Sequence, residues 1–141
     1  MKLILFIAVV SFSSVYGLLR DEHYGDFFLN VARQLHNKCV PITGVTQDKI
    51  DGLKNGVFAD DEKLKRYVLC LWIVSEEMNP DLSMHIEKLT KAMPKKITNG
   101  VKMYVDCAKQ AERSGITEPH ERVYKMVKCY YDADPENFIM F

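Results

Sequence analysis

Residues 43–72 read "TGVTQDKIDGLKNGVFADDEKLKRYVLCLW", and how this stretch divides decides the fold. Thr46 offers a hydroxyl to the first amides of a short helix, and Asn55–Gly56, a pair tolerant of left-handed backbone, marks its end. Asp60 offers a second N-cap. Beyond it, from Asp61 to Glu77, Leu64, Tyr67, Val68, Leu71, Trp72 and Val74 fall at helical spacing, with Cys70 near their stripe. An apolar face this broad must be covered by other elements, so the chain is expected to pack helix on helix.

The flanking sequence extends the pattern in both directions. Between Asp21 and Lys38, the residues Tyr24, Phe27, Phe28, Val31, Ala32 and Leu35 recur every three or four positions, which predicts an amphipathic helix. "CVPITGV", residues 39–45, carries a proline and a glycine and reads as a loop. "NPD" at 79–81 ends the central helix. Ser83 then caps a segment with Met84, Ile86, Leu89 and Met93, stopped by Pro94. Ile97 to Ala111 resumes with Val101, Tyr104, Val105 and Ala108. A last helix begins after Thr117, with Pro119 in its first turn, and gathers Val123, Tyr124, Val127 and Tyr130. Six helices are predicted, with no convincing strand and no repeat. The tail, residues 132–141, ends in four apolar residues, Phe138 to Phe141, where tails are usually polar.

Residues 1–17, "MKLILFIAVVSFSSVYG", have the layout of a secretory signal peptide: one lysine, an apolar run, then small and polar residues. The run is too short to span a bilayer, and no later stretch is long enough and free of charge. The mature chain is expected to begin near Leu18, with a helical domain over 18–131. Removing the leader takes away only Lys2 and leaves 18 basic against 19 acidic side chains. This near-neutral balance gives no footprint for nucleic acid or an anionic membrane. No N-x-S/T sequon occurs, so N-glycosylation is not expected.

The four cysteines are separated by 30, 36 and 21 residues, so no C-x-x-C pair seeds a zinc ribbon or redox motif. Spacing alone leaves three pairings open. At this point a family likeness enters. The T-G-V, N-G and D-D-x-K-L-K-x-Y-x-x-C-L elements of the opening stretch resemble the second and third helices of insect odorant-binding proteins, and the likeness extends over residues 20–131. That family's usual pattern has six cysteines, paired first to third, second to fifth and fourth to sixth. Here the second position is Arg66 and the fifth is His120, the two that would have bonded each other. The chain thus resembles the four-cysteine, "minus-C" branch, which implies bridges Cys39–Cys70 and Cys107–Cys129. In the chain-entropy account loops of this size contribute roughly 3–4 kcal/mol each. The seam between the third and last helices, left without its bridge, is expected to open more readily. A histidine beside an arginine there also suggests sensitivity to mild acid.

His23, His36, His85 and His120 fall in different predicted elements, with no H-E-x-x-H motif, no G-x-S-x-G and no calcium loop. Neither an enzyme nor a metal or cofactor is therefore expected. Seven Phe, seven Tyr and six Met after Met1 suit a wall that accepts varied apolar shapes. The residues expected to line a cavity are Tyr67, Leu71, Met84, Leu89, Met93, Val101, Tyr104, Tyr124 and Val127. Tyr104 is favoured for one orienting hydrogen bond. Phe138 and Phe141, on the tail, are expected to cover or enter the cavity. The resemblance implies an all-α, compact domain around an internal apolar cavity, secreted into sensillar lymph, haemolymph or a glandular fluid. It implies a carrier of small hydrophobic ligands, with an odorant receptor or a second copy of the chain as further partners. The competing expectation is a secreted helical module that binds protein and no small molecule.

Overall fold

The structure, a computed structural model, describes residues 26–140. They form six α-helices: α1 (Asp26–Thr43), α2 (Gln47–Lys54), α3 (Glu62–Val74), α4 (Ile86–Ala92), α5 (Gly100–Arg113) and α6 (Pro119–Ala133). A 3₁₀ turn, Pro135–Asn137, follows. Among the described residues the extended pairing is one isolated antiparallel bridge, Met78 to Met84. The fold is all-α, as the helical spacing predicts. The expected leader and Phe141 lie outside the described residues.

Helix α6 packs along both α5 and α3, and α3 also packs on α1. Their shared interior holds Leu64, Tyr67, Val68, Val123, Met126, Val127 and Tyr130, all buried, with Ile50 and Leu53 of α2 at one end. Each such side chain gains roughly 1.5–3 kcal/mol by leaving water, and the summed gain offsets the entropy of ordering the chain. Two disulfides pin these contacts. Cys39–Cys70 joins α1 to α3, Cys107–Cys129 joins α5 to α6, and no cysteine is left free.

Several helix ends differ from expectation. Helix α1 runs through Cys39 to Thr43 and keeps Pro41 inside its last turn. The amide that proline lacks would have bonded the carbonyl of Asn37, and both residues are exposed, so water can take that carbonyl. The Thr43 hydroxyl donates to the Cys39 carbonyl at 2.8 Å, the Gly44 amide donates to the Val40 carbonyl, and Gly44 turns the chain at φ +65°. Asp61, not Asp60, caps α3, its carboxylate accepting from the Leu64 amide at 2.8 Å. Asp60 instead pairs with Lys65. Ser83 does not cap α4. Its hydroxyl donates to Asp81, Met84 is held in the bridge to Met78, and the helix starts two residues later at Ile86. Ile97, expected within the fifth helix, lies buried in the turn before α5. Asn55–Gly56 ends α2 as expected, and Gly56 is required twice over: its φ is +79° and an added Cβ would lie 2.1 Å from the Tyr131 hydroxyl.

At the two positions where the resemblance implies a missing bridge, the side chains differ in exposure. Arg66 is exposed and pairs with Glu62 at 2.6 Å, whereas His120 is buried. The Arg66 guanidinium holds the Glu62 carboxyl below its usual range, with a smaller contribution from His120. One residue away on each helix, Lys65 of α3 reaches Glu121 of α6 at 2.8 Å. Lys65 is buried, also pairs with Asp60, and lies 5.9 Å from the centre of the Tyr124 ring. The Tyr124 hydroxyl donates to the Ala59 carbonyl at 2.9 Å.

Candidate functional site

A cavity opens where the N-terminal half of α1, the end of α3, α4 and the start of α5 fail to meet. Its volume is about 60 Å³, and Phe28, Leu35, Leu71, Trp72, Leu89, Ala92, Met93 and Tyr104 form most of its wall. Ile139 and Met140, from the tail, complete it. The aromatic side is stiff: Tyr104 stacks on Tyr130 with ring centres 4.0 Å apart and 16° between planes, and meets Trp72 edge-on at 4.9 Å. Such pairs add roughly 0.5–1.5 kcal/mol beyond burial and fix ring positions. The part of the wall made by Met93 and Met140 can repack, because unbranched thioether chains change rotamer easily.

The wall has one polar corner, made by Ser75 and Glu77. Ser75 ends α3 and donates its hydroxyl to the Trp72 carbonyl at 3.1 Å. Glu76 follows in the left-handed region at φ +61°, costly for a residue other than glycine. Its carboxylate pairs with Lys88 of α4. Glu77 is held by its backbone: its amide donates to the Ser75 hydroxyl at 3.4 Å and its carbonyl accepts from the His85 amide at 2.8 Å. Burial pushes the Glu77 carboxyl up to about 7, with no charge or hydrogen bond offsetting it.

A second hollow, about 370 Å³, lies between the 78–86 loop, α5 and α6. It is larger, and Asp81, Lys109, Glu112 and Arg122 stand among its apolar residues. An apolar molecule gains free energy in proportion to the apolar area withdrawn from water, so the small apolar cavity is the stronger candidate despite its volume.

The residues expected from sequence to form a wall divide between places. Leu71, Leu89, Met93 and Tyr104 line the cavity, and Met84 lines the second hollow. Tyr67 lies fully buried between α1 and α3, its hydroxyl 3.0 Å from the His36 ring nitrogen, which places it in the interior and not on the wall. Burial raises its pKa well above the ordinary tyrosine value. Tyr124 and Val127 are likewise interior side chains of α6, and Val101 packs half-buried against the core. Phe138 is buried among Phe58 and Tyr131, with ring centres at 5.8 and 5.1 Å, and so anchors the tail while its two successors face the cavity. Phe28, Leu35, Trp72 and Met140 are visible in the sequence only as apolar stripe and tail residues, and nothing there marks Glu77. Among the described residues no group of three His, Cys, Asp or Glu side chains could hold a metal ion. No helix among them is long and apolar enough to cross a membrane.

Residues 22–133 match the sequence model of the PBP/GOBP family. The chain belongs to the PBP/GOBP family. The two disulfides fit its four-cysteine, minus-C type. General odorant-binding protein 69a of Drosophila melanogaster is 28% identical over 100 residues, covering 70% of this chain and 65% of that one. The chain thus spans slightly under two thirds of that relative's length. The B1 protein of Tenebrio molitor is 29% identical over 116 residues, covering 78% of this chain and 83% of its own. Among solved structures, Apis mellifera odorant binding protein 5 superposes with a TM-score of 0.70 at 21% identity, over 84% of this chain and 98% of that one, and shares the fold.

Proposed function

We propose that the mature chain is a secreted carrier that takes a small apolar semiochemical into the cavity between α1, α3, α4 and α5 and moves it through aqueous lymph. The observation that carries this reading is the cavity itself, lined by apolar side chains except at one polar corner. Binding needs no covalent step. The ligand leaves water, gaining roughly 25 cal/mol per Å² of apolar surface covered, and a micromolar complex corresponds to about 8 kcal/mol. The free space is smaller than most volatile lipids, so a guest enters by displacing Met93 and Met140 while the Tyr104–Tyr130 stack stays in place. The tail, held by Phe138, acts as the cover of the cavity. Secretion through the leader at residues 1–17 brings the chain to that fluid.

The test is displacement of an environment-sensitive naphthylamine probe from the oxidised mature protein by volatile and long-chain apolar compounds. Saturable uptake with selective displacement is the expected result. A protein with both disulfides formed that takes up no probe would remove the carrier reading and leave a helical module that binds protein.

A further inference from the structure

The carboxylate of Glu77 stands on the cavity wall with its backbone pinned on both sides and its side chain unengaged. Neighbouring polar groups do not compete for it. The Ser75 proton is given to the Trp72 carbonyl, and Glu76 is turned outward to Lys88. Every other residue of the lining is apolar except Tyr104, the other titratable side chain there. The left-handed backbone at Glu76 keeps this arrangement in place at a local cost, and strain of this kind gathers where a side chain must be aimed.

We infer that Glu77 receives the polar end of the ligand, and that the cargo is an apolar molecule ending in a single hydroxyl group. This rests on the carrier reading above. The choice of a hydroxyl follows from donor and acceptor count. An ionised Glu77 only accepts, so a guest carbonyl or ether would face it oxygen to oxygen, whereas a hydroxyl donates its proton to it. A protonated Glu77 donates, and the same hydroxyl oxygen accepts. Because this carboxyl titrates at about 7, both forms are present near neutrality, and a hydroxyl satisfies each. A guest with no polar end would strip water from this half-buried carboxylate and give it no partner in return, an arrangement that costs more than the missing bond is worth.

The experiment measures displacement of the naphthylamine probe by primary alkanols and by the alkyl methyl ethers of equal length, at pH 8, in the wild-type mature protein, Glu77→Leu and Glu77→Gln. The wild type is expected to prefer the alkanol by about tenfold or more. In Glu77→Leu the alkanol and ether should bind alike, and the ether more tightly than to wild type. Glu77→Gln, nearly isosteric and the safer variant for folding, can donate to the ether oxygen, so its preference should shrink severalfold. Equal affinity for the two compounds in the wild type, or an undiminished preference in Glu77→Gln, would overturn the assignment while leaving a carrier. Absence of any probe binding by the wild type would instead remove the carrier reading, and this inference with it.

Discussion

A carboxyl group that gives up its proton near pH 7 instead of near 4.5 opposes the folded state whenever it is charged, and Glu77 is such a group. Between those two values the folded chain keeps a proton that the unfolded chain has lost. Stability therefore falls as pH rises from about 4.5 to 7 and levels off above, with roughly 3 kcal/mol as the ceiling for full burial and less for a half-buried side chain. Glu62, Glu76, Asp60 and Asp106, whose cationic partners lower their pKa values, act in the opposite sense and below this window. Comparing urea unfolding of the wild type and Glu77→Gln at pH 5 and pH 8 isolates the one residue. The variant should gain stability at pH 8 relative to wild type and little at pH 5; an identical pH dependence in the two proteins would show that Glu77 is not buried enough to matter. Why the sequence conceals this residue is a question of backbone. Ser75–Glu76–Glu77 at the close of an amphipathic stripe reads as a solvated face, and a left-handed turn is normally announced by glycine or asparagine. Here glutamate adopts it, and the residue that follows lines the cavity. Tyr104 is within reach of sequence reasoning because periodicity places it on the buried face of α5. Periodicity cannot tell a wall from a core, and Tyr67 and Tyr124, equally periodic, are interior.

At the scale of helices, spacing locates all six but misses ends decided by single hydrogen bonds: the Thr43 hydroxyl that closes α1 past Pro41, and the Asp81 carboxylate that takes Ser83 away from α4. The disulfide pairing is accessible only through family resemblance. What stands in place of the missing third bridge is not legible in the sequence, because it depends on which neighbours of the lost positions meet across the two helices. Lys65 and Glu121 flank Arg66 and His120, and their ion pair joins α3 to α6 at the place where a covalent link is absent. The Lys65 side chain is 10% exposed and that of Glu121 39%, so the pair is more than a solvated contact but is screened on one side. Glu121→Gln keeps the shape and removes the charge, and should weaken the seam by about 1 kcal/mol. Hydrogen exchange reads this directly: the amides from Arg122 through Met126 of α6 should exchange about fivefold faster in the variant, with α5 unchanged. Uniform acceleration across the protein would mean that the pair supports the whole fold and not this seam.

For the molecule as a whole, the tail unites stability with access to the cavity, and the two can be separated residue by residue. Phe138 sits 2% exposed against Phe58 and Tyr131, while Ile139 and Met140 reach the cavity wall. Truncating a buried phenylalanine to alanine typically costs about 3–5 kcal/mol, so Phe138→Ala should lower the melting temperature and also free the cover. Ile139→Ala with Met140→Ala leaves that anchor in place and removes only wall. A cover and a wall leave different kinetic signatures. Loss of a cover speeds entry and exit together and changes Kd little, whereas loss of wall contacts acts mainly on the exit rate and so weakens Kd. Stopped-flow mixing of the naphthylamine probe with each variant gives both rates. Phe138→Ala, kept well below its melting temperature, should raise both rates in similar proportion, and the double alanine variant should raise chiefly the exit rate. If Phe138→Ala changed stability alone and left both rates at wild-type values, ligand would be entering by another route, between α1 and α4, and the tail would be a structural strap.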